Sequence, residues 1–220
     1  MQFHVPSHLA FCDAQGGVMF LDVAKGRYFA LPRPLEPAFR ALAGRAFQAD
    51  DADPSLVARL RRIGVITAEG GARITRQTTQ LPTASWMDTP PPDSRTTMAA
   101  RVWATRHLLA TRSALRRLSL SQILEGLDVQ RANRQASALD QLADPSSLFE
   151  SARRWTPIKP VCLLDSLSLL AFLHQRGLTA DLVFGVIRQP FAAHCWVQAH
   201  DVVLNDRLDR VAEFTPILVV

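Results

Sequence analysis

The chain has 220 residues, 48% of them hydrophobic, and a net charge of +5. This length allows one large domain or two small ones with a real core. Three widely spaced cysteines do not make a disulfide framework, and no CxxC or HExxH spacing predicts a metal site. We expect no cofactor. The first residues lack a signal peptide, and no apolar run could span a bilayer, so we expect a cytoplasmic protein without a membrane partner.

The first third of the chain predicts a small domain of three strands and two helices. Glycines at 16–17 and the run 24–26 indicate hairpin turns between the strands. Asp53 is a good helix N-cap and Pro54 fits a first helical turn. The segments 64–66 and 73–75 are expected to close a wing. The predicted strands are 8–15, 16–26 and 27–32, and the predicted helices are 35–47 and 54–62.

The middle of the chain changes character twice. Residues 76–97 contain few apolar side chains, and Pro90 to Pro92 favour extended backbone. We therefore predict a linker over 81–97, which joins a domain of residues 1–80 to a domain of residues 98–220. Helices are then expected over 98–118, 121–127 and 129–142.

Most of the excess positive charge lies in the first of these helices. No acidic residue occurs between Arg95 and Leu124. This pattern indicates either a solvated helix face or a surface for an acidic peptide or partner protein. Nucleic acid is disfavoured as a ligand, because this basic segment contains few aromatic side chains besides Trp103 that could stack on bases.

The segment from Lys159 to Gly177 predicts a buried helix with a cysteine at its head. Pro160 prevents an upstream extension, since proline disfavours helical geometry in the residue before it, and Gly177 is a good C-terminal stop. The residues between them are apolar on almost every face, as in a central helix. The dipole and free N–H groups of a helix N-terminus favour an anion, so Cys162 is a candidate thiolate.

Three β-type runs follow this helix and bring two more reactive side chains. Side chains alternate between the two faces along a strand. In a plain hairpin, two residues that lie on the same face therefore have residue numbers whose sum is even. A three-residue loop over Ala199 to Asp201 would put His194 and Asp206 opposite each other, with Trp196 and Leu204 on the same face. An imidazole that takes the thiol proton, oriented by a carboxylate, would complete a nucleophilic triad.

Each of these residues also has a simpler interpretation. A cysteine in an apolar helix is usually a small buried hydrophobe, a lone histidine is often a satisfied core residue, and a lone aspartate is more often a turn residue. Cys195 is a competing thiol, but neighbours in a strand point oppositely, so we expect it to face away from His194 and join the core. Asp201 and Asp209 are rival carboxylates. Asp201 is disfavoured because it lies in the predicted turn, and Asp209 is disfavoured by the parity of its residue number.

The C-terminal third resembles the B protein of lasso-peptide biosynthesis, a leader peptidase with a transglutaminase-like cysteine-protease fold. The resemblance covers Arg153 to Val220 and implies that Cys162, His194 and Asp206 are the catalytic triad. It also implies a partner, the ATP-using, asparagine-synthetase-like lasso cyclase. The matching features are Cys162 with Ser166 and Leu167, Gly177, the FGV run at 184–186, AHxWV at 193–197, and Asp206.

The N-terminal block, through VMFLDVAKGRYFALP, resembles the recognition element of ribosomal-peptide pathways, a winged-helix-like module related to PqqD. The resemblance implies that a leader peptide adds as a strand to the sheet edge and packs on the last helix. A structural cap or a DNA-binding winged helix remain alternatives. The candidate leader-binding residues are Tyr28, Phe29, Ala30, Leu31, Leu56 and Leu60.

Together these features predict an α+β protein. Its N-terminal winged-helix-like (PqqD-like) domain would precede a transglutaminase/papain-like cysteine protease domain, with helices packed on an antiparallel sheet. The predicted function is a leader peptidase that binds the leader of a ribosomal precursor peptide and cuts it from the core. The alternatives are acyl transfer by the same triad and a non-catalytic peptide carrier.

Overall fold

The computed structural model describes residues 3–44, 53–68, 80–89, 97–132 and 137–220. Its mixed helices and sheets confirm the predicted α+β class. One sheet has three strands and lies near the N-terminus, and the other has five strands and lies under the C-terminal helices.

Residues 9–30 form the predicted three-stranded antiparallel sheet. Its strands are β1 (Leu9–Ala14), β2 (Gly17–Asp22) and β3 (Arg27–Ala30), in that order across the sheet. The first turn falls at Gln15 and Gly16, both with positive φ, so the turn is one residue earlier than predicted and Gly17 already belongs to β2. Two residues with positive φ give a twist that matches the flanking strands.

Two helices cover one face of this sheet. After a 3-10 turn (Arg33–Leu35) come α1 (Glu36–Gly44) and α2 (Pro54–Arg62). The Asp53 side chain caps α2 by accepting the Ser55 N–H at 2.8 Å, as the sequence predicts. Thr67 forms an isolated bridge with His4, and the predicted wing segment 73–75 lies outside the described residues.

The C-terminal part places helices against the five-stranded sheet, whose order is β4-β7-β6-β5-β8. All its strand pairs are antiparallel except β4 with β7. Its elements are β4 (Ala84–Ser85), α3 (Met98–Arg117), α4 (Leu120–Ala132), α5 (Leu139–Arg153), α6 (Cys162–Gln175), β5 (Asp181–Ile187), β6 (Ala192–Ala199), β7 (Val202–Val203), α7 (Leu208–Ala212) and β8 (Thr215–Val219).

Two expectations for this part need correction. The predicted helix over 129–142 is wrong, because residues 137–138 are not helical and separate α4 from α5. The Ser137 N–H is bonded instead to the Thr179 hydroxyl at 3.2 Å. The predicted linker over 81–97 contains β4, where Ala84 and Ser85 pair with Val202 and Val203.

Strand β2 is buried along its whole length, because the small sheet is covered on both faces. Val18 and Phe20 pack with Phe39 under α1 and α2. On the opposite face Met19 and Leu21 join the main core, which includes α6 and β5. The N-terminal strands therefore contribute to the same hydrophobic core as the C-terminal sheet.

A polar clamp fixes the turn between β5 and β6 to the small sheet. The Gln15 side-chain oxygen accepts the N–H groups of Arg188 and Gln189 at 3.1 and 2.8 Å. The Arg188 guanidinium pairs with buried Glu36 at 3.1 Å. It also lies so close to Gly17 that a Cβ there would be 1.3 Å from its Nη1, so a side chain at this position would displace the guanidinium.

The shared core predicts that damage to β2 destabilises the C-terminal part. Leu21→Ala should cost about 2–5 kcal/mol by removing buried methyl groups. All four tryptophans lie after residue 80, so their fluorescence reports unfolding of the C-terminal part. We expect a lower urea midpoint in this signal. An unchanged tryptophan midpoint, with loss of far-UV dichroism at lower urea, would contradict a common core.

Candidate active site

Helix α6 holds Cys162 at its first position, at the end of a rigid and almost fully buried rod. The helix runs to Gln175, and Gly177 follows it with a φ of +78°. Cys162 itself is half-buried, so its sulfur is reachable from solvent. The first N–H groups of a helix have no partner within it and favour negative charge at this position.

An ion pair that the sequence analysis missed anchors the head of α6. Arg153, at the end of α5, donates to Asp165 Oδ1 at 2.8 Å. The other carboxylate oxygen accepts the Val161 N–H at 3.2 Å. Asp165 thereby holds the residue before Cys162 and ties two helices together. An acid in the first turn of the helix was the available signal.

Histidine 194 lies near the start of β6, with its ring buried beside an aromatic cluster. Its Nε2 is 2.5 Å from Asp206 Oδ2. The ring contacts Phe214 and Trp196, with centroid distances of 5.3 and 6.1 Å. Gly185 opposite allows this packing, because a Cβ there would lie 2.8 Å from both neighbours. The remaining ring nitrogen, Nδ1, is left for the thiol.

The pairing of His194 with Asp206 agrees with the sequence prediction, but the predicted register is wrong. Gln198 pairs with Val203 and Ala199 with Val202, so the turn has two residues, with His200 at a positive φ. Each residue of β6 therefore pairs with a residue one position later in the chain than predicted. Trp196 and Leu204 accordingly pack in different clusters, on opposite faces of the sheet.

Asp206 reaches the imidazole because the chain leaves the sheet after Val203, at a point that Asn205 stabilises. The Asn205 side-chain oxygen accepts the Val197 N–H at 2.7 Å, where a strand partner would otherwise lie. Its amide group donates to the Ser166 hydroxyl at 2.9 Å. Ser166 in turn donates to the Cys195 carbonyl at 3.3 Å. Asn205 therefore links β6 and α6 directly beside Asp206.

The β4 segment supports the same loop from the other side. The Ser85 hydroxyl donates to the Asp206 carbonyl at 2.5 Å. Asp88 accepts the Leu208 N–H at 2.8 Å and lies 3.5 Å from Arg207. A segment predicted as a linker thus fixes the backbone that carries the carboxylate.

Cys195 is buried in the main core, as predicted, yet it belongs to the site. Its thiol and its backbone N–H lie close enough to the Cys162 sulfur to lower the pKa of that thiol. The strand alternation that separates Cys195 from His194 turns Cys195 toward α6. The sequence analysis missed this role, because alternation alone does not show where a helix head will lie.

These contacts favour a thiolate beside a charged imidazole. Hydrogen bonds from Cys195 and from His194 lower the pKa of Cys162 to about 4. Burial would lower the pKa of His194, but its hydrogen bonds with Asp206 and Cys162 raise it. Burial likewise opposes ionisation of Asp206, while the His194 and Arg207 hydrogen bonds lower its pKa overall. The contact with the Cys162 sulfur, and then burial, raise the pKa of Cys195.

The rival carboxylates are engaged elsewhere. Asp201 accepts the Thr83 hydroxyl at 2.5 Å in the turn after β6. Asp209 is bonded to Arg207 at 3.2 Å on the surface of α7. Glu150 of α5 lies nearer to the site, beside a cavity of about 60 Å³ lined also by Trp86 and Leu204. Burial, followed by the charge of Asp165, raises the pKa of Glu150 to about 8.

The candidate leader-binding residues divide into two groups. Leu31 and Leu60 are 1% and 0% exposed, so their side chains belong to the core and cannot contact a peptide directly. Tyr28, Phe29 and Leu56 are half-buried, and Ala30 is exposed. Burial, and then the charges of Cys195 and Cys162, raise the pKa of Tyr28. Tyr28 therefore lies within electrostatic reach of the candidate nucleophile.

The part of the chain that the structure describes offers neither a metal site nor a membrane-spanning helix. Residues 3–44, 53–68, 80–89, 97–132 and 137–220 contain no group of three or more His, Cys, Asp or Glu side chains that could hold a metal ion. Within the same residues, none of the helices combines the length and apolar character needed to cross a bilayer.

Comparison with known proteins identifies the class. The sequence profile of the transglutaminase-like superfamily matches residues 106–219, just over half of the chain, so the protein belongs to that superfamily. The match begins within α3 and includes Cys162, His194 and Asp206. No solved structure matches the chain.

A more specific similarity is to the microcin J25-processing protein McjB of Escherichia coli. The two chains are 44% identical over 48 residues, which are 22% of this chain and 23% of McjB. The chain therefore matches less than a quarter of this relative's length. Together with the superfamily match, this similarity supports a relationship to the lasso-peptide B proteins.

The contacts of Cys162 predict an unusual pH dependence of its alkylation. The iodoacetamide rate at Cys162, followed by peptide mass spectrometry, should rise through an inflection at about pH 4 and stay high above it, since the thiolate reacts. Cys195→Ala should move the inflection upward, whereas Cys12→Ala should leave it in place. An inflection near the ordinary value of 9.0 in the wild type would contradict the thiolate.

Proposed function

We propose that this protein is the leader peptidase of a lasso-peptide pathway, with Cys162 as nucleophile, His194 as acid and base, and Asp206 as the residue that orients His194. The observation that carries the proposal is the array itself. A low-pKa thiol at a buried helix head stands beside an imidazole, and Asp206 lies 2.5 Å from that imidazole. The partial similarity to McjB supports the choice of substrate.

In the first half-reaction, the Cys162 thiolate attacks the scissile carbonyl carbon and forms a C–S bond. The carbonyl oxygen becomes an oxyanion, and the Cys162 N–H is a suitable donor for it, because the first N–H groups of a helix lack helical acceptors. Protonated His194 then gives its proton to the departing amine as the C–N bond breaks. The core peptide leaves with a free N-terminus, and a leader thioester remains on Cys162.

In the second half-reaction, neutral His194 takes a proton from water, which attacks the thioester carbonyl. The C–S bond breaks, the leader leaves with a free carboxylate, and the thiolate and imidazolium return. Asp206 accepts the hydrogen bond from the Nε2–H group throughout, so it selects the ring tautomer and stabilises the imidazolium. No cofactor or metal ion takes part in this scheme.

The outer edge of β3 is suited to receive the leader as an added strand. The Leu31 N–H is bonded to the Val18 carbonyl at 2.8 Å, so residues of the same parity point toward β2. The backbone groups of Tyr28 and Ala30 therefore point away from β2. Among the described residues, no strand pairs with this edge. We assign residues 1–80 to leader recognition and residues 98–220 to peptide cleavage.

The pathway supplies the remaining partners. The freed core N-terminus is the substrate of the ATP-using, asparagine-synthetase-like cyclase, which we propose as the protein partner, and both would act in the cytoplasm. The basic helix α3 presents Arg106 beside Trp103 and Arg101 over Trp155, at 5.4 and 4.2 Å. We assign no nucleic acid to this face, because both of its tryptophans already stack against arginines of α3.

The proposal predicts a small open reading frame beside the gene that encodes a leader and a core, and its product would test the nucleophile. Cys162→Ala should abolish leader removal, measured by mass spectrometry, because the other thiol of the site, Cys195, is buried and its pKa is raised. Leader affinity, measured by fluorescence anisotropy, should change by no more than a few-fold. Cys12→Ala is the control thiol and should cleave normally. If Cys162→Ala still cleaved the precursor and Cys195→Ala did not, the nucleophile would be Cys195 and not Cys162.

The orienting carboxylate can be tested with a matched pair. Asp206→Asn keeps the shape but lets the amide pair with the wrong tautomer, so turnover should fall by about two to four orders of magnitude. Asp209→Asn alters an exposed acid and should cost about tenfold or less. Single-turnover cleavage rates measure both. Equal rates for the two variants would leave a Cys–His dyad oriented by another group.

Acyl transfer is the second candidate, favoured by membership of the transglutaminase-like superfamily. It shares the thioester and differs only in the acceptor, which would be an amine and not water. Cleavage in the presence of cadaverine distinguishes the two. A leader fragment with a free carboxylate indicates hydrolysis, and a cadaverine amide as the main product indicates transfer.

A further inference from the structure

A groove of about 320 Å³ lies between the edge strand β3 and the turn that joins β5 to β6. Tyr28 and Ala30 form one wall, Gln189 and Phe191 form the other, and Met19 lies between them. The rings of Tyr28 and Phe191 are in contact, with centroids 5.9 Å apart. Phe191 is nevertheless 58% exposed, so much of its surface remains available for contact with a ligand.

The groove offers no free charge to a ligand. Arg188 also lines it, but its guanidinium is paired with Glu36 and packed over Gly17. The remaining lining side chains are apolar, apart from Gln189 and the Tyr28 hydroxyl. A charged ligand group would lose water here without gaining a partner, whereas an apolar group would gain contacts.

The position of the groove connects peptide binding to the candidate nucleophile. Phe191 comes three residues before His194, and Tyr28 packs on the same core cluster as Cys162. The backbone groups of Tyr28 and Ala30 point outward along this edge. A peptide strand paired there would direct alternate side chains toward the sheet face that carries Met19 and Tyr28, which is the groove.

We propose that this groove is a subsite for one bulky apolar side chain of the substrate peptide, on the leader side of the scissile bond, and that Phe191 determines its specificity. The proposal rests on the proposed peptidase function. It places the subsite between the two parts of the chain, so that neither part forms it alone.

Tripeptidyl vinyl sulfones are suitable probes, because they require no leaving group. The Cys162 thiolate adds to the vinyl carbon β to the sulfone, and the resulting carbanion, on the carbon next to the sulfone, takes a proton from His194. Three sets of probes would each vary one position among Leu, Phe, Ala and Asp, with alanine at the other two. Rates of mass increase on the intact protein would be divided by that variant's rate with iodoacetamide, which corrects for the thiol itself.

At one of the three positions, Leu or Phe should react at least about tenfold faster than Asp in the wild-type protein, as expected for an apolar pocket. Phe191→Ala should reduce this ratio to about threefold or less, and Phe191→Leu should restore most of it. Leu109→Ala, an equally exposed change on α3, is the matched control and should keep the wild-type ratio. A wild-type ratio in Phe191→Ala, or no discrimination at any position, would overturn the proposal.

Failure of the subsite and failure of the peptidase function give different results. If the precursor is cleaved through Cys162 but Phe191→Ala keeps its side-chain preference, only the subsite is wrong. If Phe191 controls the probe preference but the precursor stays intact, the groove remains a peptide subsite and the leader-peptidase function is wrong.

Discussion

The burial of β2 on both faces is the constraint on which the rest of the structure depends. Phe20 faces the two N-terminal helices, while Leu21 faces the core of the C-terminal sheet. A strand buried in this way cannot separate from either layer without exposing apolar surface to water. The edge strand β3 is therefore held at a fixed position relative to α6 and β6. A peptide that pairs with β3 would meet the candidate nucleophile without any domain movement.

The candidate triad depends on irregular backbone as much as on regular elements. Regular pairing of β6 with β7 would have aligned His194 with residue 207 and not with Asp206, given the observed register. Asn205 makes the exit from the sheet possible by satisfying the Val197 N–H, and Ser85 holds the Asp206 carbonyl. Polar side chains that replace strand partners thus supply the geometry that strand alternation alone would not give.

The sequence predicted the elements well and their assembly less well. Local signals were strong at Asp53, at the apolar helix α6 and in the three N-terminal strands, because capping, periodicity and turn residues act over a few positions. The hairpin parity argument selected Asp206 from a register that is wrong by one residue. The contact of Cys195 with Cys162 and the role of β4 depend on pairings distant in sequence, which no local pattern contains.

The two thiols illustrate how the fold prepares one of two neighbouring groups for reaction. Cys162 and Cys195 lie side by side, and their pKa values move in opposite directions, so that the negative charge is favoured on Cys162. The helix head, the half-exposed position and the imidazole all favour charge on Cys162. Cys195 is buried in the core, and its raised pKa keeps it in the protonated thiol form. A cysteine at this position in β6 therefore lowers the pKa of the candidate nucleophile, and its removal should affect that pKa before it affects the fold.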